Sequence, residues 1–266
     1  MFNQTLFKKE WKSLTKILLA FLAILTMYIV IIIYMYTPEM NELMNGLLET
    51  MPEVFAAVGM GVTGEGLLGF CVQYLYGFIL FIFPAIFMVM VTNSLVCRYV
   101  DEGSMAYLLA TPNTRRKIVI TQWFVLNIVL LSLVIYILFC GILTSELLFP
   151  NELDIVGFMQ VNAGLMALYF FLGNGLFCLS CFLNESDKFI KIAGGLLFVS
   201  YICNSIATMS TQFDFFKYFS FLTLFNPMKI VGDFSGQWLS LAVLIVGGII
   251  FSVIGITGFE KRDLPL

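Results

Sequence analysis

Six long apolar runs, each close to the length of a membrane-spanning helix, constrain the fold of this chain more than any other feature. Roughly 20 apolar residues in a helix cross the hydrocarbon core of a bilayer. Hydrophobic residues make up 60% of the 266 residues and charged residues 12%, an apolar share above that of a soluble domain. We therefore predict an all-α membrane protein with six transmembrane helices in one domain, 1–266. The predicted spans are 17–36, 71–97, 118–143, 156–182, a fifth that begins near 192, and 238–258.

The first 16 residues predict a separate helix on the membrane surface. Lysines occur among the apolar residues Phe7, Trp11, Leu14 and Leu18, which recur at helical spacing. This pattern is typical of an amphipathic interfacial helix. A signal peptide is the alternative, because a basic start precedes an apolar run. No small-residue cleavage site follows the run 17–36, so we expect this run to be retained as the first span.

Two polar segments between the spans are predicted to lie on the outer side. Segment 37–70 holds five carboxylates and a helical pattern that Pro52 would end, so we expect a folded extracellular cap. Aromatic residues concentrate in 211–237, which favours an outer segment lying along the interface. The predicted helical face in the cap comprises Met40, Leu43, Leu47 and Met51.

The distribution of charge predicts the orientation in the membrane. Twelve of the 14 Lys and Arg residues fall in the N-terminal stretch, in 98–117, in 184–191 and in the C-terminal tail. The other side keeps Lys217 and Lys229, together with ten of the 17 Asp and Glu residues. Cytosolic loops carry an excess of Lys and Arg. Both termini are therefore predicted to be cytosolic.

Few residues in this chain suggest chemistry of their own. The sequence has no histidine, and no Asp, Glu, Lys or Arg lies in the interior of a predicted span, which disfavours an ion-coupled secondary carrier. It lacks the G-x-x-x-x-G-K-[ST] phosphate loop, so ATP hydrolysis would take place on another chain. Cys178-x-x-Cys181 lies in an apolar run without a second ligand pair, and we interpret it as packing. We expect no catalytic residue, metal or cofactor here.

Segment 98–117, with the sequence RYVDEGSMAYLLATPNTRRK, is the longest charged interruption between the apolar runs. Asp101 and Glu102 precede a predicted short helix at 104–110, where negative charge suits a helix N-terminus. Pro112 ends that helix.

The apolar residues of this short helix require cover. Met105, Leu108 and Leu109 are predicted to face out of the membrane, which is costly for exposed apolar groups. A helix lying on lipid is one interpretation, and docking of a cytosolic partner is the other. Arg115, Arg116 and Lys117 come next to the third span, where they can contact lipid headgroups.

The motifs of this segment resemble those of a known family. Glu102-Gly103-Ser104, Leu108-Leu109, Pro112 and Arg115-Arg116 are similar to the E-G-[ST]-x₃-L-L-x₂-P-x₂-R-R pattern after the second span of ABC-2 type permeases, the membrane subunits of bacterial ABC exporters. The resemblance covers nearly the whole chain. Further similar features are Lys9-Glu10-Trp11, Met51-Pro52-Glu53 and Lys261-Arg262-Asp263-Leu264.

This resemblance implies a role and partners. The chain would pair with a second permease, as a homodimer or a related heterodimer, and with ATP-binding cassette ATPase subunits that hold ATP and Mg. The helix after Glu102 would be a coupling helix that receives force from the ATPase. The implied coupling residues are Asp101, Glu102, Gly103, Ser104, Met105, Leu108, Leu109, Pro112, Arg115 and Arg116. A second cytosolic contact would comprise Glu185, Asp187 and Lys188.

Polar residues inside the spans are candidates for a pathway or a subunit interface. Ordinary interhelical hydrogen bonds, worth about 0.6 kcal/mol on average, are the more common role of such residues. The candidates are Gln73, Asn93, Asn127, Asn174 and Asn204.

The apolar interior indicates the kind of cargo. Spans without fixed charge favour a hydrophobic or amphipathic substrate, such as a peptide or toxin, an antibiotic or a lipid-like molecule. A non-transporting membrane immunity or structural protein has the same hydropathy and stays open as an alternative. A secondary carrier is the less favoured one.

Overall fold

The computed structural model describes residues 3–51, 54, 66–109, 113–209 and 211–262. These residues contain no strand, and six of their helices are long and apolar enough to cross a membrane. The predicted all-α fold with six spans is confirmed. In chain order the helices are α1 (Gln4–Tyr34), α2 (Pro38–Thr50), α3 (Gly66–Asp101), α4 (Ser104–Leu109), α5 (Arg115–Leu148), α6 (Ile155–Phe182), α7 (Ser186–Met209), α8 (Pro227–Gly232) and α9 (Phe234–Lys261).

Polar residues in the loops fix where the spanning helices begin. Asn3, Thr114, Asp154 and Asp233 each accept a hydrogen bond from backbone amides in the first turn of the helix that follows. Each such cap stabilises its helix by about 1 kcal/mol. At Asp233, bonds from the Ser235 hydroxyl and nearby amides hold the pKa of the carboxyl below its ordinary value.

The N-terminal stretch and the first span form one helix, where two had been predicted. Helix α1 has 31 residues without a break, or roughly 46 Å at 1.5 Å per residue. Its length exceeds the ~30 Å hydrocarbon core, so its first third extends beyond that core. Leu14 is fully buried and Leu18 nearly so. The apolar face predicted to lie on lipid therefore packs inside the protein, while the rings of Phe7 and Trp11, half-buried, stack at 6.3 Å.

Helix α2 confirms the helix predicted in the outer cap, but only part of the cap is described. Leu48 is buried, whereas Leu43, Leu47 and Met51 are exposed. The face predicted from their spacing therefore points away from the bundle. Residues 52–53 and 55–65, which include Pro52, lie outside the described residues.

Helix α3 is irregular, and a neighbouring helix supports it. Two π-helical segments, Val72–Ile79 and Asn93–Cys97, flank Pro84. Pro84 has no N–H to donate to the carbonyl oxygen of Leu80. The hydroxyl of Tyr169 on α6, a fully buried side chain, donates to that carbonyl. This contact agrees with the general finding that neighbouring groups satisfy the carbonyl that a proline frees inside a membrane.

Helices α6 and α9 approach one another to backbone contact. A Cβ atom added at Gly255 would lie 3.0 Å from the Cα atom of Cys178, and one at Gly248 would overlap the Phe170 ring. These glycines permit the close approach typical of membrane helices. Gly194 and Gly195 on α7 have no neighbour within 4 Å among the described residues.

Segment 211–237 turns back along the bundle. It forms two 3₁₀ helices, Thr211–Phe219 and Phe221–Leu224, followed by α8. The hydroxyls of Ser200 and Ser220 are 3.1 Å apart. Ser200 lies nine residues before the end of α7, so the chain has turned back about 14 Å along that helix. Leu222, Phe225 and Ile230 are buried, whereas Tyr218 is 88% exposed. The course of the segment along the outer interface stays a prediction.

Candidate functional site

One end of the bundle carries the described parts of all four stretches that were predicted to face the cytosol. We call it the basic end and define it by residues 3–12, 98–109, 113–117, 183–188 and 260–262. Helices α1 and α5 begin there, and the amide of Asn3 donates to the hydroxyl of Thr121 at 3.1 Å. Helices α6 and α9 end there.

Helix α3 runs without interruption into the 98–109 segment. It ends at Asp101, and Gly103 adopts a φ of +68°, a conformation that favours glycine. Helix α4 begins at the next residue, so the short helix predicted at 104–110 is confirmed over Ser104–Leu109. Ala110 and Pro112 lie outside the described residues.

Burial in the segment differs from the prediction. Met105 is 1% exposed, so the expectation that it faces out of the bundle is wrong. Leu108 is half-buried against the same core, and the side chain of Leu109 lies outside the described residues. Tyr107, which sequence reasoning missed, is 81% exposed. Because 3.6 residues complete a helical turn, residue 107 lies roughly 200° from residue 105, so the two side chains occupy opposite faces of α4.

The charges of the segment are solvated and lie beside the second predicted contact. Arg98 and Glu102 form an exposed ion pair at 2.8 Å, and exposed pairs of this kind add little stability. The carboxylate of Asp101 accepts a hydrogen bond from the Ser186 amide at 3.3 Å. The structure thus places the 98–109 segment against the loop that leads into α7.

The second predicted contact also keeps its charges exposed. Glu185 and Lys188 form an ion pair at 2.5 Å, with both side chains more than half exposed. Asp187 is exposed between them. The three residues therefore lie beside the 98–109 segment on one solvent-facing surface.

Arg262, which directly follows α9, joins the end of that helix to the end of α6. Its Nη1 donates to the carbonyl of Cys181 at 2.5 Å and to that of Leu183 at 3.3 Å. Arg115 donates to the Arg262 carbonyl at 2.6 Å, so this predicted coupling residue already has a partner within the chain. Arg116 is exposed. Burial lowers the pKa of the Arg262 guanidinium from its ordinary value, which still leaves it charged at neutral pH.

A contact that the sequence did not indicate joins the segment to α1. The Tyr99 hydroxyl donates to the Glu10 carboxylate at 2.5 Å, and the ammonium of Lys9 donates to the same hydroxyl at 3.0 Å. Glu10 is only 2% exposed. Glu10 lies four residues from both Leu6 and Leu14 and therefore shares their buried face. That register could have predicted its burial.

Two of the five candidate polar residues in the spans bond to one another. The amide of Asn174 donates to Asn127 Oδ1 at 3.2 Å. Its own oxygen accepts from Trp123 Nε1 at 2.7 Å and from the Ser252 hydroxyl at 2.8 Å. This network joins α5, α6 and α9, which favours the interhelical packing role over a pathway role.

The remaining candidates are not brought together. Gln73 and Asn93 lie near opposite ends of α3, and Asn204 is half-buried on α7. Both amide atoms of Gln73 lack a hydrogen-bond partner among the described residues, as do those of Gln122, a fully buried residue that sequence reasoning missed. A pathway role for Gln73, Asn93 and Asn204 stays a prediction.

The fold and this surface define a polytopic α-helical membrane protein whose second span extends into a solvent-facing segment. Residues 4–264 match the family described as ABC-2 family transporter protein, and the chain belongs to this family. The resemblance identified from the sequence motifs is confirmed. The family supplies the membrane component of ABC transporters, which operate with an ATP-binding cassette partner. A search of curated proteins found no match to the chain.

Proposed function

We propose that the chain is the permease subunit of an ATP-driven exporter in the bacterial cytoplasmic membrane. Both termini and the basic end face the cytosol, as the excess of Lys and Arg predicts. A separate ATPase subunit binds ATP and Mg and supplies the energy. The observation that carries this proposal is the continuity of α3 with the exposed 98–109 segment.

The ATPase docks on the surface that Tyr107 shares with the 184–188 loop. Exposed tyrosines are common anchors of protein interfaces, because the ring is large and rigid and has a polar tip. The carboxylate of Asp101 bonds to the loop at the Ser186 amide, and the side chains of Glu102, Asp187 and Lys188 are exposed. The buried side chain of Met105 holds α4 against the bundle.

Movement of the segment reaches the membrane through α3. The last turn of α3 belongs to the 98–109 segment, and most of the apolar side chains of α3 are buried inside the bundle. A displacement at Asp101 therefore acts directly on a helix that is buried for most of its length.

Two permeases, identical or related, form the pathway in this proposal. The cargo is hydrophobic or amphipathic, such as a peptide or toxin, an antibiotic or a lipid-like molecule. Support comes from the predicted spans, which hold no charged residue, and from the Asn127 and Asn174 amides, which bond to protein groups.

Purification of the tagged chain from its native membranes tests the proposal. We expect an ATP-binding cassette ATPase to copurify, and we expect ATP depletion to stop export from intact cells. A folded permease that copurifies with no ATPase would contradict the proposal and favour the non-transporting alternative. Export that continues without ATP would favour a secondary carrier.

A further inference from the structure

The contact between Glu10 and Tyr99 links α1 to α3 through polar groups. Glu10 belongs to α1 and Tyr99 to the last turn of α3. The Glu10 carboxylate and the Tyr99 hydroxyl are 2.5 Å apart. Lys9 donates to the same hydroxyl, and its ammonium lies 5.1 Å from the centre of the Tyr99 ring. Three groups from two helices thus meet at one oxygen atom.

Packing alone does not account for Glu10. Its neighbours on the same face of α1, Leu6 and Leu14, are buried, and a third leucine would fill this face without a desolvation cost. Burying a carboxyl group is costly unless hydrogen bonds compensate for the lost water. The compensating donor is Tyr99, a residue of the 98–109 segment.

Other hydrogen bonds hold α1 to the bundle elsewhere. The hydroxyls of Thr26 and Tyr136 are 2.6 Å apart and link α1 to α5. Asn3 bonds to Thr121, also on α5. The Tyr99 contacts differ from these because they link α1 to the segment that we propose is moved by the ATPase.

We infer that Glu10 and Tyr99 are positioning residues that tether the N-terminal third of α1 to the 98–109 segment. The tether holds the two elements at a fixed separation in the permease alone. On the proposed function, α1 moves together with the segment, so the ATPase drives two spanning helices, α1 and α3. Only this second statement rests on the proposed function.

The tether is tested by measuring a distance in the full-length permease in lipid nanodiscs without the ATPase. Spin labels are attached to cysteines at Ser13 on α1 and Ala106 on α4, and the chain without these two cysteines reports background labelling. We expect one narrow distance distribution. Tyr99→Phe and Glu10→Leu should each broaden it at least twofold, because each removes the hydrogen bond between the helices.

Conservative variants separate a tether from simple packing. Glu10→Gln should keep the distribution narrow, because the amide oxygen still accepts from Tyr99. Tyr136→Phe, which removes another hydrogen bond from α1, should also keep it narrow. Unchanged width in Tyr99→Phe, or equal broadening in Tyr136→Phe, would overturn the tether. Tyr99→Phe removes a single oxygen atom and keeps the test available if Glu10→Leu fails to insert.

A second measurement addresses motion, in the complex with the ATPase trapped after ATP hydrolysis. We expect the 13–106 distance to stay constant in the wild type and to change in Tyr99→Phe. A distance that changes in the wild type would overturn joint motion of the two elements. If no ATPase binds the permease, the proposed function fails, while the measurement without the ATPase still decides the tether.

Discussion

Tyr107→Ala is expected to weaken binding of the ATPase subunit by roughly 30-fold, which corresponds to about 2 kcal/mol for an anchor residue. Tyr107 is 81% exposed, so the truncation removes contact surface and leaves the core of the permease intact. ATP hydrolysis stimulated by the permease should fall in parallel. Titration of the ATPase against the permease in nanodiscs measures both quantities.

Tyr34→Ala is the matched control for Tyr107→Ala. Tyr34 is 71% exposed at the opposite end of α1, and its removal should leave the affinity for the ATPase unchanged. If the affinity of Tyr107→Ala stays within threefold of the wild type, the anchor is elsewhere. The solvated charges of Glu102 and Asp187 would then be the next candidates.

Tyr169→Phe is expected to destabilise the permease by about 1–3 kcal/mol, because the Leu80 carbonyl loses a buried hydrogen-bond donor. The apparent unfolding temperature in detergent should fall by several degrees. Tyr34→Phe, which removes an exposed hydroxyl, should leave that temperature unchanged.

A second substitution tests whether the loss of stability in Tyr169→Phe arises at the Leu80 carbonyl. Pro84→Ala restores a backbone N–H that can donate to Leu80, so the loss caused by Tyr169→Phe should be smaller in a Pro84→Ala background. An equal loss in both backgrounds would show that the Tyr169 hydroxyl does not act through the carbonyl that Pro84 leaves without its usual donor.

Hydropathy and charge predicted the six spans, the short helix after Gly103 and the loops that share its end of the bundle. These features follow from local patterns. A run of apolar residues needs a helix to satisfy its backbone in a membrane. Aspartate is a favoured N-cap residue, as Asp154 and Asp233 are here. The interfacial helix and the first span were expected to be separate, with a break near Lys16. The structure has one continuous helix there, because the helical spacing of Leu14 and Leu18 continues into the first span.

The spacing of residues within a helix shows which side chains share a face, but for a short helix such as α4 it does not show which face is buried. Met105 and Tyr107 are both large, and only the rotation of α4 against the bundle decides which of them is exposed. The partner of Glu10 is Tyr99, 89 residues further along the chain. Contacts of this kind depend on how helices assemble, and the pattern within one helix does not encode them.

A photo-crosslinking amino acid at position 107, incorporated in the native host, tests the central claim most directly. Position 34 serves as the site at the other end of the bundle. We predict that illumination of intact cells joins position 107 to an ATP-binding cassette ATPase and that position 34 yields no such product. An ATPase crosslinked from position 34, or none from position 107 in cells that actively export, would contradict the proposed orientation and coupling.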